Sequence, residues 1–417
     1  MAKLAKTSIP DDIMYYEILS RLPVESLIRL KSVSKTWLSV ISSSVFVKSF
    51  IDRAYTNAKD DKTLVVQLCG EKEVDRHSYA LFHLGSGQLV TNLGSPYSSD
   101  GEEYLVDFER DEAVLIGSDC GIVCLLVSVE VKDYDDYCDG FDIHLSSMYR
   151  TYIYLWNPAT KRVNLISADN DHNETCREVI GFGFDCMNLD FKVIRAVCDQ
   201  YGDVDYFGVY SANRNSWKQI EVDPIDDFYY NTDVYSNGCL FDVCLHGFLL
   251  CTGYRGMIAF DLHKELLYCR LELPDIDCET VEATITDFND SIAVFTSNDE
   301  KFKLWTLDDE ECLRGGEVKT SWTMMLRIDL GQPIQFVVGY FNHGDLLLVS
   351  KDGSLLSYNF DKKEARELEA RFDYRQVFKY TESLISVQGS EPVYSWSDSE
   401  DDYSDSEDND SDQEDDD

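Results

Sequence analysis

Apolar residues recur at helical spacing over the first sixty residues and at strand spacing beyond residue 62. The stretch Ser8 to Asp12 is typical of a helix start, because a proline in the first turn and two acids suit the amino end of a helix. Helical spacing then continues to Pro23, through Ile13, Tyr16, Ile18, Leu19 and Leu22. A second segment carries Leu27, Leu30 and Val33, and a third carries Trp37, Val40 and Ile41 behind Ser34, a predicted N-cap.

Three short helices cannot bury all of this apolar surface among themselves, because small domains bury a low fraction of their area. Two interpretations remain open at this point. The leucines form the core of a small helical bundle, or one face of the bundle docks into a hydrophobic groove of a partner.

Short β-branched and aromatic runs between Gly, Asn and Asp turns predict antiparallel strands over residues 62–390. A strand–turn–strand unit recurs six times, at residues 80–90, 153–165, 208–220, 258–267, 303–313 and 355–365. Its spacing is near the roughly 50-residue kelch period, which predicts an all-β, kelch-like propeller of about six to seven blades. A closed propeller also leaves few exposed strand edges. A two-sheet sandwich is the alternative.

The net charge of the chain limits the classes of molecule that it is expected to bind. Hydrophobic residues make up 44%, which excludes a mainly disordered protein, and the net charge is −41. Residues 391–417 hold 14 of the 78 acids and no Lys or Arg, so the rest of the chain carries −27. Such a charge repels phosphate backbones and anionic lipid, so we expect no nucleic acid and no membrane as partners, but a basic protein.

The cysteines and the start of the chain indicate a reducing compartment. Thirteen cysteines show no framework spacing, and residues 1–6 contain no apolar signal segment. No apolar run approaches the roughly 18 residues of a membrane span. We therefore expect free thiols and a cytoplasmic location, with the nucleus as a second location.

Catalytic and metal-binding motifs are not apparent in the sequence. There is no nucleophile elbow, phosphate loop or dinucleotide fingerprint. Cys120 and Cys124 form one close cysteine pair and Cys239 and Cys244 another, but neither has histidines at zinc-finger spacing, so no metal and no cofactor are predicted. Acidic pairs such as Asp308-Asp309 could serve a propeller glycosidase, although among 78 acids such pairs also arise by chance in turns.

Two segments combine acids with tyrosines, at residues 129–151 and 221–235. Acids attract a basic surface over distance, and tyrosines supply rigid contact area. The predicted target-binding residues are Asp135, Asp136, Tyr137, Asp226, Asp227, Tyr229 and Tyr230. Solvated loops without a partner are the alternative.

The end of the sequence is too acidic and too poor in apolar residues to fold. Ser397, Ser399, Ser404 and Ser411 each have an acid three residues downstream, a pattern that acidophilic kinases favour. A solubilising role without phosphorylation is the alternative.

The helical segment resembles an F-box. Four sub-motifs follow in order: Ile9-Pro-Asp-Asp, Glu17-Ile-Leu-Ser-Arg-Leu-Pro, Ser26-Leu-Ile-Arg and Val33-Ser-Lys-Thr-Trp. The resemblance implies binding to the Skp-type adaptor of a cullin–RING ubiquitin ligase. The residues that it implies for the adaptor face are Pro10, Ile13, Ile18, Leu19, Leu22, Pro23, Leu27, Leu30, Val33 and Trp37, of which Trp37 is shared with the core.

The β region resembles the F-box-associated domain of plant F-box proteins. The resemblance rests on segments that begin at Leu115, Leu155, Gly181 and Val209, and they are similar to those of the S-locus F-box branch. In that branch, pollen members direct the ubiquitination of pistil ribonucleases, so a basic S-locus ribonuclease is the implied target. A link longer than usual between Leu125 and Tyr154 departs from the branch.

These observations predict an α+β multidomain chain. Residues 1–7 are a flexible start, 8–54 a small helical F-box, 62–390 a β-propeller and 391–417 a disordered acidic C-terminal tail. The predicted function is that of a non-catalytic substrate receptor in an SCF-type ligase, which binds a Skp-type adaptor and a basic protein for proteasomal degradation. A scaffold that degrades nothing, or a propeller hydrolase, is the alternative.

Overall fold

The computed structural model describes eighteen segments of the chain: 13–57, 63–68, 78–96, 112–131, 148–167, 177–198, 204–221, 239–240, 243–253, 256–274, 282–298, 301–314, 319–329, 334–341, 345–360, 362–369, 372–387 and 391–392. A helical domain comes first, and strands follow from residue 63. Among the described helices, none is both long and apolar enough to cross a bilayer.

The helical domain contains a π-helical turn (Ile13–Ile18), a 3₁₀ turn (Leu19–Arg21) and three α-helices, α1 (Val24–Lys31), α2 (Lys35–Ile41) and α3 (Ser44–Asn57). The predicted N-cap is confirmed, since the Ser34 hydroxyl accepts a hydrogen bond of 3.2 Å from the Trp37 amide. The helix predicted to run up to Pro23 is wrong in type. Leu22 is extended, as expected for a residue before proline, and the preceding turns are π and 3₁₀.

The last helix of the domain, α3, was not predicted as a separate helix. Its sequence signal is the N-cap Ser43, whose hydroxyl accepts from the Phe46 amide at 3.2 Å, followed by Phe46 and Phe50 one turn apart. Both phenylalanines are buried, and their rings stack with centroids 6.4 Å apart. They complete the core of the helical domain.

The described strands number twenty-six. The first thirteen are β1 (Thr63–Leu68), β2 (Tyr79–His83), β3 (Gln88–Gly94), β4 (Glu112–Asp119), β5 (Ile122–Val131), β6 (Met148–Asn157), β7 (Arg162–Ser167), β8 (Arg177–Asp185), β9 (Asp190–Cys198), β10 (Val204–Ser211), β11 (Ser216–Gln219), β12 (Cys239–Leu240) and β13 (Val243–Leu245). The others are β14 (Phe248–Gly253), β15 (Gly256–Asp261), β16 (Leu266–Leu271), β17 (Glu282–Phe288), β18 (Ser291–Asn298), β19 (Lys301–Leu307), β20 (Trp322–Asp329), β21 (Ile334–Phe341), β22 (Asp345–Ser350), β23 (Leu355–Asn359), β24 (Glu364–Leu368), β25 (Phe372–Lys379) and β26 (Glu391–Pro392).

These strands form a six-bladed propeller, which confirms the predicted architecture at the lower blade number. The blades, from inner to outer strand, are I (β25-β1-β2-β3), II (β4-β5-β6-β7-β26), III (β8-β9-β10-β11, with β12 beside β8), IV (β13 to β16), V (β17 to β20) and VI (β21 to β24). The inner strands of successive blades contact each other around the ring. Blade I closes that ring by pairing β25 with β1.

Five of the six predicted strand–turn–strand units are outer hairpins of blades, and the sixth, at residues 303–313, contains only the first strand of its hairpin. In blades II and VI, the side chain of the residue before the turn accepts from the amide three residues later, Asn157 from Thr160 at 3.1 Å and Asn359 from Lys362 at 3.0 Å. The last turn residue is then left-handed, as at Lys161 and Lys363. This local turn chemistry explains why the repeat is visible in the sequence.

One hairpin is longer than predicted. Between β19 and β20 in blade V, a 3₁₀ turn at Glu310–Arg314 intervenes. Its Cys312 and Leu313 are buried in the core shared by blades IV and V, and this burial explains the longer connection.

Antiparallel strands place the outer hairpin turns on one side of the ring, together with the turns between first and second strands. We call this side the turn face, defined by residues 120–121, 158–161 and 262–265, and the opposite side the loop face. The helical domain packs on the turn face of blade II, where Ala159 and Leu384 join its core.

Residues 380–387, which we call the strap, connect the domains. Tyr380 packs at the interface of blades I and II, Leu384 enters the helical core, and Val387 enters the core of blades II and III. The Asn157 amide donates to the carbonyls of Ser383 and Ile385 at 3.1 and 2.8 Å. Beyond the strap, β26 pairs with β7, so residues 391–392, which composition assigned to the tail, form the outer edge of blade II.

Candidate functional site

The helical domain keeps an apolar surface that the propeller does not cover. Within the described residues, Ile18, Val33, Leu38 and Val45 are exposed, and Val33 is 66% exposed. We call these four residues the apolar patch. Ile18 and Val33 were predicted for the adaptor face, whereas Leu38 and Val45 were missed because they follow Trp37, the last residue of the quoted sub-motifs. Four exposed aliphatic side chains on one small domain are candidates for a docking surface.

The ten residues predicted for the adaptor face differ in how far the structure buries them. Pro10 and the side chain of Ile13 lie outside the described part of the chain. Pro23 is exposed, whereas Leu22, Leu30 and Trp37 are half-buried against the helical core. Leu19 and Leu27 are fully buried among Ile41, Phe46 and Leu384.

The burial of Leu19 and Leu27 corrects their predicted place on an open face. Periodicity identified an apolar helix face, but it could not show that α3 and the strap cover this face. An aspartate at either position would place a charge inside a packed core and unfold the domain. Neither residue therefore provides a clean test of partner binding.

A cleft on the turn face between blades III and IV holds a cluster of charged side chains that the sequence did not indicate. Its volume is about 430 Å³, and its lining includes Asp190, Lys192, Arg214, His263 and Glu265. The Lys192 ammonium is 2% exposed and lies 3.2 Å from Asp185 of its own blade and 3.1 Å from Glu265 of blade IV. It also donates to the Leu262 carbonyl. We call Asp185, Lys192 and Glu265 the clasp.

Three cationic side chains form ion pairs with the Glu265 carboxylate. Besides Lys192, the Arg214 guanidinium lies 3.1 Å and the Lys218 ammonium 2.7 Å from its carboxylate. Burial raises the pKa of Glu265, but hydrogen bonds from Lys218, Lys192 and Arg214 outweigh this and bring the pKa to about 2. Burial likewise raises the pKa of Asp185, while hydrogen bonds from Asn188 and the charge of Lys192 lower it below its ordinary value. Each charge of the clasp thus has a partner, and the clasp joins two blades.

The cysteines and the acidic pair that were considered as metal-binding or catalytic groups have structural roles where the structure describes them. Burial raises the pKa of the Cys124 thiol strongly, and the same cause dominates at Cys244. Asp309 accepts the Glu311 amide at the start of the 3₁₀ turn, and Asp308 accepts the Ser321 hydroxyl. Among the described residues, no three His, Cys, Asp or Glu side chains are grouped as metal ligands.

The predicted target-binding residues, Asp135, Asp136, Tyr137, Asp226, Asp227, Tyr229 and Tyr230, lie outside the described residues. The strands that flank them are described. The first group falls between the end of β5 and the start of β6, and the second falls between β11 and β12. These strand ends point to the loop face, opposite the helical domain. The predicted phosphorylation sites Ser397, Ser399, Ser404 and Ser411 also lie outside the described residues.

Comparison with known proteins identifies both parts of the chain. Residues 8–49 match the F-box domain, and residues 122–389 match the F-box associated beta propeller domain. Similar relatives from Arabidopsis thaliana include F-box protein At1g47810, 25% identical over 82% of this chain and 93% of the relative. F-box protein At5g10340 is 24% identical over 77% of this chain and 69% of the relative.

A putative 6-phosphogluconolactonase of Bacteroides fragilis has a TM-score of 0.33 at 10% identity, covering 78% of this chain and 96% of that chain, which is too distant to support an argument. An F-box followed by this propeller is typical of SCF substrate receptors, which are generally non-catalytic. The chain belongs to the family of F-box proteins with an F-box associated beta propeller domain.

Proposed function

We propose that this protein is a substrate receptor of an SCF-type ubiquitin ligase in the cytosol or nucleus. The apolar patch of the F-box binds a Skp-type adaptor, and the loop face of the propeller binds the target. The observation that carries the proposal is the apolar patch, which stays exposed after the propeller and strap have covered the rest of the helical core. In this arrangement the two partners occupy opposite sides of one rigid ring.

In this function the transfer of ubiquitin is catalysed by partners of the receptor and not by the receptor itself. The receptor holds a target lysine near the ubiquitin-carrying enzyme, and proximity raises the rate of transfer. For that purpose the F-box must be fixed relative to the propeller. The strap supports this requirement, because Leu384 sits in the helical core while Tyr380 and Val387 sit in propeller cores.

Replacing Val33→Asp is expected to weaken adaptor binding at least 30-fold without unfolding the protein. The new carboxylate would lose its water at an apolar interface, which costs about 2 kcal/mol or more. Val33 is 66% exposed, so the free protein tolerates the change. Isothermal titration of the full chain with a purified Skp-type adaptor measures the effect.

The matched control is Val90→Asp on the outer strand β3, because Val90 is 62% exposed and lies outside the F-box. This variant should bind the adaptor as the wild type does. Equal affinity of the Val33→Asp and Val90→Asp variants, with both folded, would refute the assignment of the patch.

For the target we propose a basic protein, with an S-locus-type ribonuclease as the candidate that the sequence resemblance suggests. The support is the charge of −27 outside residues 391–417, together with the acid–tyrosine segments whose flanking strands end on the loop face. Between about 0.05 and 0.5 M salt the Debye length falls from roughly 14 to 4 Å. Association with such a ribonuclease should therefore slow at least tenfold in stopped-flow measurements. A salt-independent rate would exclude this account of the target.

A further inference from the structure

The cleft between blades III and IV is large enough to hold a ligand, and its lining is polar. Its volume of about 430 Å³ falls within the range of roughly 300–1,000 Å³ that is typical of small-molecule sites. All nine of the described side chains that line it are polar or charged. Most small-molecule sites are instead lined mainly by apolar side chains. A ligand that fits this cleft must therefore be hydrophilic.

The charged groups of the cleft differ in depth. The carboxylates of Asp190 and Glu265 are buried, with exposed fractions of 4% and 9%. The side chains of Arg214, His263 and Lys264 are 45–50% exposed. A ligand that enters from solvent therefore meets two cations and an imidazole before it meets a carboxylate. The mouth of the cleft attracts an anion, although the chain as a whole carries −41.

The buried carboxylates already have hydrogen-bond donors. Asp190 accepts the Ser211 hydroxyl at 2.6 Å on one oxygen and the Asn213 backbone amide at 2.9 Å on the other. Both oxygens of Glu265 take part in its three ion pairs. Neither carboxylate thus has an oxygen without a donor, so these groups do not favour a cationic ligand.

The groups at the mouth have donors to spare. The Lys264 ammonium lies 3.9 Å from its carboxylate partner and makes no hydrogen bond to any residue that the structure describes. The Arg214 guanidinium has five N–H donors and gives one of them to Glu265. The side-chain amide of Asn188 donates to Nδ1 of His263 at 3.3 Å, so the neutral ring carries its proton on Nε2 and remains a donor there.

We propose that this cleft binds the phosphate group of a small, hydrophilic phosphorylated molecule. Arg214 and Lys264 pair with the phosphate oxygens, and Nε2 of His263 donates to a third oxygen. An ionised phosphate offers only acceptors, which matches a site whose spare groups are donors, and arginine binds phosphate with two parallel hydrogen bonds. The polar lining contacts the rest of the ligand. This site is independent of the proposed ligase function.

The bound phosphate joins two blades. Arg214 belongs to the outer hairpin turn of blade III, whereas His263 and Lys264 belong to that of blade IV. The ligand therefore adds a second ionic link to the interface that the clasp already holds. Because it binds only the folded propeller, it stabilises the protein in proportion to its occupancy.

Isothermal titration of the full chain with glycerol 3-phosphate, in a low-salt buffer free of phosphate, tests the site. We expect a dissociation constant of about 1 mM or below for the wild type. Arg214→Gln and Lys264→Met should each weaken binding at least tenfold, because each removes a charge-assisted hydrogen bond. Uncharged glycerol should not bind. Absence of binding by the wild type at tenfold that glycerol 3-phosphate concentration would overturn the proposal.

Lys218→Gln is the matched control. Lys218 pairs with Glu265 as Arg214 does, at 2.7 Å, and its side chain is 58% exposed, but it does not line the cleft. Its replacement removes one cation from the same carboxylate, so the effect on the clasp is comparable. Binding should stay within about twofold of the wild type, because the lost charge is screened by solvent. A loss as large as that of Arg214→Gln would mean diffuse attraction without a site, and the proposal would fail.

Thermal unfolding gives a readout that does not depend on heats of binding. Glycerol 3-phosphate should raise the unfolding midpoint of the wild type and of Lys218→Gln, and leave that of Arg214→Gln and Lys264→Met unchanged. An equal rise in all four proteins would contradict the assignment. A serine phosphopeptide of mixed sequence should bind no more tightly than glycerol 3-phosphate. Tenfold tighter binding of the peptide would overturn the assignment of a small molecule and make a phosphorylated protein the ligand.

Discussion

Lys192→Met is expected to destabilise the propeller by about 3 kcal/mol, a large fraction of the stability of a typical domain. The ammonium is 2% exposed and joins Asp185 of blade III to Glu265 of blade IV at 3.2 and 3.1 Å. Without it, the buried Asp185 carboxylate loses its lysine partner and the ion pair between the blades is lost, while Glu265 keeps Arg214 and Lys218. Urea unfolding followed by circular dichroism at pH 7 measures the loss.

Lys264→Met is the control for this change. Lys264 lines the same cleft, but its side chain is 45% exposed and its ammonium lies 3.9 Å from Asp261. Its loss should cost no more than about 0.5 kcal/mol. If the two methionine variants unfold at the same urea concentration, the clasp does not hold the blades together.

The clasp also gives this interface a defined response to acid. The pKa of Glu265 falls from an ordinary 4.5 to about 2 in the fold. Because the folded-state pKa is below the unfolded one, the ionised carboxylate stabilises the protein above about pH 4.5, and this contribution is lost as the pH falls towards 2. The urea midpoint of Glu265→Gln should therefore fall less steeply over this window than that of the wild type.

Gly121→Ala is expected to cost about 2–4 kcal/mol and to loosen the F-box. Gly121 has a φ of +78°, and a Cβ there would lie 2.6 Å from the Ser383 hydroxyl and 2.7 Å from the Ser383 backbone nitrogen. The left-handed conformation costs alanine about 1 kcal/mol, and the overlap with the strap adds about 1–3 kcal/mol. Hydrogen exchange should show faster opening of residues 380–387 and of the helical core around Leu384.

The matched control is Gly247→Ala in the corresponding turn of blade IV. Gly247 has a φ of +82°, and among the described residues, chain neighbours aside, no atom lies within 4 Å of the position that an alanine methyl would occupy there. Only the conformational cost of about 1 kcal/mol remains at this turn. If the two alanine variants lose the same free energy of unfolding, the strap moves away from the new methyl group at no cost and the prediction is wrong.

Five of the six outer hairpins could be predicted from the sequence because each depends on residues within a short segment, whereas the hairpin of blade V spans a longer connection. The Asn157 and Asn359 side chains organise their own turns through the amide three residues later. The Ser34 cap is local in the same sense. By contrast, the pairing of β25 with β1 joins positions about 300 residues apart, and no local pattern indicates it.

The candidate sites were less predictable, because burial depends on distant parts of the chain. Leu27 and Val33 have the same apolar character and helical spacing, yet Leu384 helps to bury the first and nothing described covers the second. Lys192 follows Phe191 in an ordinary strand pattern, and its partner Glu265 lies 73 positions later. Motif matching thus identified the domain, whereas the assignment of individual side chains required the fold.

Ring closure by β25 has a consequence for synthesis on the ribosome. The helices of the F-box have been made by Asn57, but Leu384 of its core and β25, the innermost strand of blade I, follow more than 300 residues later. The nascent chain therefore carries these helices with an incomplete core long before the propeller can close. A chain truncated before β25 would keep the F-box helices attached to a propeller in which the edge of β1 is unpaired, and such an edge favours aggregation.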